Sequence, residues 1–368
     1  MKYLKLFANH SDYDTAKSSL DRPNVSHCIQ EAEVHYNPWT WADEYLTFVA
    51  LEDGTISFNI WKSMGTDMIT SISYSTDGGE TWTTTANQNN KEEHLSIDVD
   101  VEEGDKVMWK GIATQTGYND EDDYGDYVGS FFSSNCEFDA KGNIMSLLYG
   151  DDFKGETTIE EAGAFCNLFC DYDGEKTCSV VNTKDLSLPA TTLTNKCYYQ
   201  MFCICTSLVS APVLPATTLA NYCYNAMFDG CTNLTSAPEL PATTLAKGCY
   251  FQMFDSCTSL VNAPKLPATT LAESCYSSMF HGCTSLTTAP ELPATTLTSY
   301  CYGGMFRGCT NLNYIKAMFT TTPSTSYTMD WVSGVSATGT FVKNSAATWN
   351  VSGANGIPTG WTVQTASE

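Results

Sequence analysis

Polar and apolar residues alternate through much of residues 45–150. The alternation is clearest over residues 45–51, 55–60, 71–74, 94–99 and 106–109. A period of two places successive side chains on opposite faces of a strand, and Gly- and Asp-rich breaks between the runs are typical of turns. No amphipathic helix competes with this pattern. The sequence therefore predicts an antiparallel β-sandwich or jelly-roll-like domain.

A longer period governs the second half. The hexapeptide Leu-Pro-Ala-Thr-Thr-Leu recurs every 26 residues, starting at Leu188, Leu214, Leu240, Leu266 and Leu292. Each copy is followed by Cys-Tyr, Met-Phe and a second cysteine at constant spacing. A unit of this size can bury such side chains only against identical neighbours, so we expect a solenoid of 26-residue coils.

Each coil is expected to contain one short strand, for example residues 234–240, about 4.8 Å from the strand of the next coil. The segment Cys-Tyr-x-x-Met-Phe is expected to form a short helical turn on the opposite face. The whole chain is thus predicted to be mostly β. We divide it into an N-terminal segment, a β-sandwich domain, a cap repeat, the solenoid, and a C-terminal cap and tail, over residues 1–44, 45–150, 151–187, 188–312 and 313–368.

The ends of the repeat array carry their own signals. Residues 164–169 align with residues 197–202, but six extra residues precede Cys178, and such a degenerate unit is typical of a cap. After Leu312 the chain becomes rich in Ser, Thr and Gly. We expect the aromatic residues of this tail to cover the far end of the stack; they are Trp331, Phe341, Trp349 and Trp361.

The Met-Phe-x-Gly-Cys-Thr-Ser-Leu units are similar to the BspA-like (Treponema pallidum-type) leucine-rich repeats of gut Bacteroidales and their phages, over roughly residues 160–365. The tail over residues 331–361 resembles the usual ending of those proteins. Residues 25–38 resemble the leading segment of Bacteroidales phage virion proteins, including crAss-like ones. The resemblance implies adhesion or binding of proteins or glycans, without a catalytic centre, and docking to other virion proteins through residues 1–44.

Charge divides the chain near the boundary that the repeats indicate. The formal net charge is −24, with 42 acidic against 18 basic side chains. Residues 1–180 hold 34 acidic and 11 basic side chains, whereas residues 181–368 hold 8 and 7. Nucleic acids and anionic membranes attract clustered Lys and Arg, so we expect neither as a partner. We expect no membrane insertion, and residues 1–12 lack the hydrophobic core of a secretory signal.

The 16 cysteines allow disulfides, a metal site or buried thiols. The ten periodic cysteines are expected to be buried thiols, since free Cys packs as a small apolar side chain. Aligning the cap with the first repeat places Cys170 and Cys203 in one column, meaning one repeat position in successive coils. The later members of this column are Asp229, Asp255, His281 and Arg307.

Because these later members are polar, we expect the column to face solvent. Neighbouring coils would bring Cys170 and Cys203 within disulfide range, and we predict their close approach. Whether they are oxidised depends on the compartment. The alternative is a zinc site formed by Cys170, Cys178, Cys203 and Cys205.

Two motifs in the first half carry candidate chemistry. Residues 75–82, Ser-Thr-Asp-Gly-Gly-Glu-Thr-Trp, resemble the Asp-box of sialidases, and we expect a hairpin in which Asp77 bonds local backbone and Trp82 folds over the turn. A single box favours a structural role over a catalytic one. Calcium could bind Asp120, Asp122 and Asp126, although a solvated acidic loop is the simpler interpretation.

No further catalytic motif emerges. The five histidines form no metalloprotease pattern, and the chain contains no phosphate-binding Gly-rich loop and no Gly-x-Ser-x-Gly elbow. Every repeat cysteine has a packing explanation. We therefore expect a protein that is not an enzyme and needs no cofactor.

A binding face is predicted from the assumption that invariant columns are core and variable columns are exposed. A neutral surface of Ser, Thr and Asn with aromatic side chains suits glycan or peptide contacts. The candidate ligand-binding residues are Val213, Glu239, Lys265 and Glu291 in one column, Ser210, Ser236, Asn262 and Thr288 beside it, and Tyr199 and Phe251 in another.

Three functional hypotheses follow. The first is a phage virion protein, tail-associated, that recognises a bacterial surface glycan or protein through the repeats. The second is a BspA-like adhesin located on the bacterial cell surface, outside the cell. The third is a glycosidase built on the Asp-box half. A homo-oligomer is compatible with each of them.

Overall fold

The computed structural model describes residues 42–60, 71–86, 95–112, 130–170 and 177–366. Over these residues the chain is mostly β, with several sheets and short helical segments. The strands are β1 (Leu46–Ala50), β2 (Gly54–Ile60), β3 (Ser71–Ser75), β4 (Thr83–Ala86), β5 (Leu95–Val101), β6 (Lys106–Ile112), β7 (Phe131–Ser134), β8 (Phe138–Asn143), β9 (Leu186–Ser187), β10 (Tyr314–Ala317), β11 (Thr340–Lys343) and β12 (Thr362–Thr365). The helices are α1 (Ser146–Tyr149), followed by a 3₁₀ turn (Gly150–Asp152), and α2 (Thr325–Thr328).

Two of the sequence-based assignments concern residues that lie outside the described ranges. The N-terminal docking segment, residues 1–44, lies outside the described residues except for its last three positions. The calcium candidates Asp120, Asp122 and Asp126 also lie outside them. Within the described ranges, none of the helices has the length and apolarity that a membrane crossing requires.

Two sheets build the first half, with strand orders β4-β3-β6-β1-β8-β9 and β5-β2-β7. The alternation in β5 has the predicted effect, since Ile97, Val99 and Val101 are buried between exposed polar residues. The sheets meet through aromatic side chains: the rings of Phe48 in β1 and Phe132 in β7 have centroids 4.7 Å apart. The five strands predicted from alternation are confirmed, with ends that differ by at most three residues.

In the second half, residues 26 positions apart lie next to one another. The backbone N–H of Gln200 donates to the carbonyl of Asn225 in the following coil (2.9 Å), whereas that of Met201 donates to Tyr198 in its own coil (3.3 Å). Gln200 and Ile204, four residues apart, have left-handed φ values of 51° and 59°. The expected helical turn is therefore wrong. This segment is a series of β-turns, because alternate N–H groups bond the next coil.

The prediction of a continuous strand over residues 234–240 is also wrong. Between β9 and β10 the described residues contain no continuous strand, and isolated bridges such as Ser236 with Asn262 link neighbouring coils. Pro238 has no N–H to donate, so a ladder cannot continue through this segment. The extended part of each coil is consequently held by single bridges and by its buried side chains.

Two ladders of stacked aromatic rings fill the centre of the repeats. The first contains Phe165, Tyr198, Tyr224, Tyr250, Tyr276 and Tyr302, and the second contains Phe169, Phe202, Phe228, Phe254, Phe280 and Phe306. Centroids of successive rings lie 4.9–6.1 Å apart, and the rings are within 13° of parallel. The Leu, Met and Cys residues of the repeat motif are buried alongside them. Each coil therefore depends on its neighbours for burial.

The two halves share one hydrophobic core. Strand β9, at the start of the repeats, pairs in parallel with β8 of the first half. Phe169 contacts both Phe132 (5.7 Å between centroids) and Phe202 of the first repeat (4.9 Å). Gly142, in β8, has φ 84°, and a Cβ there would overlap the Tyr45 carbonyl, so only glycine permits this close approach. The β-rich half thus covers the N-terminal end of the stack.

Strands β10, β11 and β12 form a parallel sheet at the other end. Trp331 is fully buried there, stacks near Tyr302 (6.3 Å) and donates from Nε1 to the Gly356 carbonyl (2.9 Å). Phe341, Trp349 and Trp361 are buried as well. The prediction that aromatic residues of the tail cover the far end is confirmed.

Candidate functional site

The first predicted column lies on the surface of the repeats. Val213, Glu239, Lys265 and Glu291 are all exposed. Glu291 forms an ion pair with Lys316 of the next unit, with Nζ 3.0 Å from Oε1. The charges of this column alternate in sign from Glu239 to Lys316. A ligand would therefore meet partly paired charges here.

The neighbouring column is hydrogen-bonded between coils. Ser236, Asn262 and Thr288 are exposed, and Ser210 is partly buried. Asn262 donates from Nδ2 to Ser236 Oγ (3.3 Å), and Ser210 Oγ donates to Asn182 Oδ1 (3.0 Å). Part of the polar capacity of this column is thus used within the protein.

The third column is less open than the sequence suggested. Tyr199 and Phe251 are partly buried, and Asn225 between them is only 7% exposed. They follow the buried tyrosines in the series of β-turns, where the backbone bonds to the next coil. The residue type varies between repeats at this position, yet the side chains are not fully exposed.

The most regular exposed surface comes from residues that the sequence reasoning placed in the core. The two threonines of every Leu-Pro-Ala-Thr-Thr-Leu motif are exposed in all five repeats. They are Thr191, Thr192, Thr217, Thr218, Thr243, Thr244, Thr269, Thr270, Thr295 and Thr296. Bridges join Thr192 to Thr218 and Thr218 to Thr244, which aligns the columns. We call these ten residues the threonine face.

The hydroxyl groups of the threonine face are available. Among the described residues, none of the ten side chains forms a hydrogen bond within the chain. A second threonine column behaves differently, since Thr258 and Thr284 donate to carbonyls of the preceding coil (3.5 and 3.4 Å). The hydroxyl group could have indicated this exposure from the sequence. A polar side chain that is invariant within the repeat is rarely buried in the core unless it has a hydrogen-bond partner.

The column of Cys170 and Cys203 faces solvent only in part, contrary to expectation. Both cysteines and Asp255 are only 6% exposed, Asp229 and His281 are partly exposed, and Arg307 is exposed. The cysteines are free thiols, and their side chains are in contact. This thiol contact, burial and nearby Asp229 raise the pKa of Cys203. Two polar members of this column, Asp255 and His281, are bonded to each other.

Asp255 is the centre of these contacts. Its carboxylate accepts hydrogen bonds from Gln252 Nε2 (3.1 Å) and Ser256 Oγ (2.9 Å), and it lies 2.8 Å from His281 Nδ1. Burial and the negative charge of Asp255 raise the pKa of Asp229 to about 7, although His281 opposes the shift. The column can therefore take up protons near neutral pH.

The periodic cysteines have a role beyond packing. In each repeat the second cysteine donates from Sγ to the phenylalanine carbonyl of the preceding coil, for example Cys257 to Phe228 (3.1 Å). Burial raises the pKa of Cys257 and of the other buried repeat thiols, which keeps them in the unreactive protonated form.

Among the described residues, no group of three or more metal-ligating side chains is placed to hold one ion, so the structure does not support the zinc alternative. Cys205 donates from Sγ to the Phe169 carbonyl (3.2 Å) inside the core, and its thiol also bonds Cys178. The Cys205 thiol is thus engaged in contacts within the stack.

The Asp-box forms the expected hairpin. Strands β3 and β4 pair antiparallel, and Asp77 Oδ1 accepts the backbone N–H of Thr81 (2.9 Å). Hydrogen bonds from Thr81 and Ser75 lower the pKa of Asp77. Trp82 lies over the turn and contacts the Tyr45 ring (5.0 Å between centroids). The carboxylate of Asp77 is thus engaged in holding its own turn.

No family model matches this chain, and no curated protein or solved structure is similar to it.

Proposed function

We propose that the chain is a non-catalytic binding protein, most specifically a tail-associated phage virion protein that recognises the bacterial surface through its repeats. In this proposal the repeats form a BspA-like leucine-rich-repeat solenoid, and the first half is a β-sandwich or jelly-roll-like support. The ligand is a neutral surface glycan. The observation that carries the proposal is the threonine face.

The chemistry of the threonine face supports a glycan ligand. Each hydroxyl can donate one hydrogen bond and accept two, and sugar hydroxyls have the same capacity. The threonine methyl groups provide apolar contact for the C–H faces of sugar rings. The face contains no charged residue, and residues 181–368 together carry 8 acidic and 7 basic side chains. A neutral polymer would lose no favourable ion hydration on binding there.

The geometry of the face favours a long ligand. Its two columns extend through five coils in constant register, and strands or bridges of this kind place neighbouring coils about 4.8 Å apart. A polysaccharide lying along the columns would make the same contacts in every coil. Weak individual hydrogen bonds would then add along one chain, as in other multivalent binding.

The decisive experiment removes hydroxyls while keeping side-chain shape. Replacing Thr192, Thr218, Thr244, Thr270 and Thr296 together by Val should leave the stack folded and reduce binding to an array of purified bacterial surface polysaccharides at least tenfold. The matched control carries five Thr→Val changes in the other threonine column, at Thr206, Thr232, Thr258, Thr284 and Thr310. Equal binding by both variants would reject the threonine face as the binding site.

The column of Glu239, Lys265 and Glu291 is the second candidate surface. Replacing these three residues together by Ala tests whether a protein or charged ligand binds there. Loss of binding in this variant, with full binding by the threonine-face variant, would place the site at the charged column and indicate a bacterial surface protein as the partner.

The location of the protein is a separate part of the proposal. A virion protein would dock to other virion proteins through residues 1–44, whereas a BspA-like adhesin would be displayed on the bacterial cell surface. Portal or tail genes beside the coding sequence would support the virion, and a lipoprotein signal in the genomic reading frame would support the adhesin. Hydrolysis of a sialidase substrate would contradict both and favour an Asp-box glycosidase.

A further inference from the structure

The junction between the cap and the first repeat contains two cysteines at equivalent positions. Cys170 follows Phe169, and Cys203 follows Phe202. The two phenylalanine rings are stacked with centroids 4.9 Å apart, the shortest step in either aromatic ladder. The backbone N–H of Phe169 also donates to the Met201 carbonyl (2.9 Å). The coils are therefore held in register immediately beside the cysteines.

This register suits a covalent bond. Disulfides need Cα atoms about 4.4–6.8 Å apart, a range that includes the spacing of adjacent coils. Both thiols are free, and the interaction between their side chains raises the pKa of Cys203. The stacked phenylalanine rings and the Phe169 N–H bond hold the two cysteines in adjacent coils.

The pair differs from the second cysteines of the repeats, including Cys205, whose thiol also contacts Cys178. The second cysteine of each repeat donates its S–H to a phenylalanine carbonyl, as Cys205 does to Phe169 (3.2 Å). Among the described residues, neither Cys170 nor Cys203 has such a carbonyl acceptor, and the two thiols contact each other. In the later coils this position holds no cysteine, so the arrangement occurs only at the junction.

We propose that Cys170 and Cys203 are a reversible disulfide site that locks the cap repeat to the first coil. The oxidant is a low-molecular-weight disulfide such as oxidised glutathione. Two S–H bonds break and one S–S bond forms between the cysteines. The two electrons and two protons released reduce the oxidant to two thiols. A reducing thiol reverses the reaction by the same exchange.

Formation of the bond would stabilise the end of the stack. The crosslink closes a loop of about thirty residues, which restricts the unfolded chain. Reaction should be slow at neutral pH, because the thiolate is the nucleophile and the pKa of Cys203 is raised. Raising the pH should accelerate oxidation.

The test uses the full chain incubated with oxidised glutathione at pH 8.5, quenched with an alkylating agent and digested with trypsin without reduction. Cleavage after Lys154, Lys176, Lys184, Lys196 and Lys247 separates the relevant cysteines. A Cys170–Cys203 bond would join peptide 155–176 to peptide 197–247, with a mass two hydrogens below the sum of the reduced peptides. A Cys178–Cys205 bond would instead join peptide 177–184 to the same partner.

The expected result is the first product, with fragmentation placing the bond at Cys170 and not at Cys166. Oxidation should raise the melting temperature by roughly 5–10 °C, and dithiothreitol should reverse the rise. A Cys170→Ser/Cys203→Ser variant should fold but lose the shift, whereas a Cys178→Ser/Cys205→Ser control should keep it. Recovery of both cysteines fully alkylated after oxidation, or the second crosslink alone, would overturn the proposal.

Discussion

The two halves of the molecule bury aromatic rings in different ways. In the first half Phe48 meets Trp109, Phe132 and Phe138 at interplanar angles of 49°, 80° and 40°. In the repeats each ring meets copies of itself within 13° of parallel. The first core depends on particular long-range pairs, whereas the second depends on one contact repeated between neighbours. In the first half, the loss of stability on substitution should therefore depend on which ring is replaced. In the stack, the effect should be confined to the neighbouring coils.

The halves also differ in charge. Residues 1–180 have a large acidic excess and residues 181–368 have nearly none. Yet they share a core and a strand pairing at β8 and β9. Charge composition thus marks a difference in surface, while packing joins the two regions into one body.

The largest effect is expected at the junction. Phe169→Ala removes a ring that contacts Phe48, Phe132 and Phe202, and should cost about 3–5 kcal/mol of unfolding free energy. Calorimetry should then resolve separate transitions for the two halves. The control is Phe254→Ala, in the middle of the ladder, which should lower stability without separating them. One shared transition in both variants would mean that the halves are coupled independently of Phe169.

The two cysteine columns should respond differently to serine. Cys257 has a carbonyl acceptor at Phe228 (3.1 Å), so Cys257→Ser keeps a hydrogen bond and should cost less than about 1 kcal/mol. Among the described residues Cys249 has no such carbonyl acceptor, although backbone groups such as that of Ala246 bond its sulfur. Cys249→Ser should cost about 1–3 kcal/mol, because the buried hydroxyl proton would lack an acceptor. Urea unfolding of both variants makes the comparison. Equal losses would refute a structural role for the sulfur hydrogen bond.

The polar column predicts a pH-dependent effect confined to the stack. The pKa of Asp229 is raised from 3.8 to about 7, so the folded state holds this proton more tightly than the unfolded state. Its contribution to stability is present below about pH 4 and is lost as pH rises to 7 and above. At pH 8, Asp229→Asn should be about 1–2 kcal/mol more stable than the natural chain, a figure reduced for partial exposure.

Thermal unfolding at pH 4 and pH 8 measures this difference. At pH 4 the Asp229→Asn variant and the natural chain should have the same stability. The control is Glu239→Gln, which changes an exposed carboxylate in the same repeat. A gain for Asp229→Asn that is the same at both pH values would exclude protonation as its cause.

The smallest effect concerns the first repeat alone. Ile204 has φ 59° and is 62% exposed, although a β-branched side chain is unfavourable in that region, and Gly230 fills the equivalent position one coil later. Ile204→Gly should therefore raise stability by roughly 1 kcal/mol. Val209→Gly, at an exposed position without positive φ, should lower it. A loss in both variants would mean that the Ile204 side chain makes a stabilising contact.

Much of the repeat half could be predicted from its own period. Identical residues at 26-residue spacing must lie next to one another if they are to be buried, so Leu, Met, Phe and Cys were correctly assigned to the core. The backbone path of each coil could not be predicted, because it depends on which N–H groups bond within the coil and which bond to the next coil. The N–H of Met201 bonds within its own coil, whereas that of Gln200 bonds to the next. That choice depends on the neighbouring coil.

The sequence by itself determined the two regions, most of the core of each repeat, five strands of the first half and the hairpin of the Asp-box. Tertiary structure alone decided which invariant residues face solvent. Leu188 and Thr191 are equally constant in the repeat, yet one is buried and the other exposed. Recurrence in sequence requires only that neighbours match, and matching neighbours can stack as well on the surface as in the core. The direction of each side chain follows from the path of the coil.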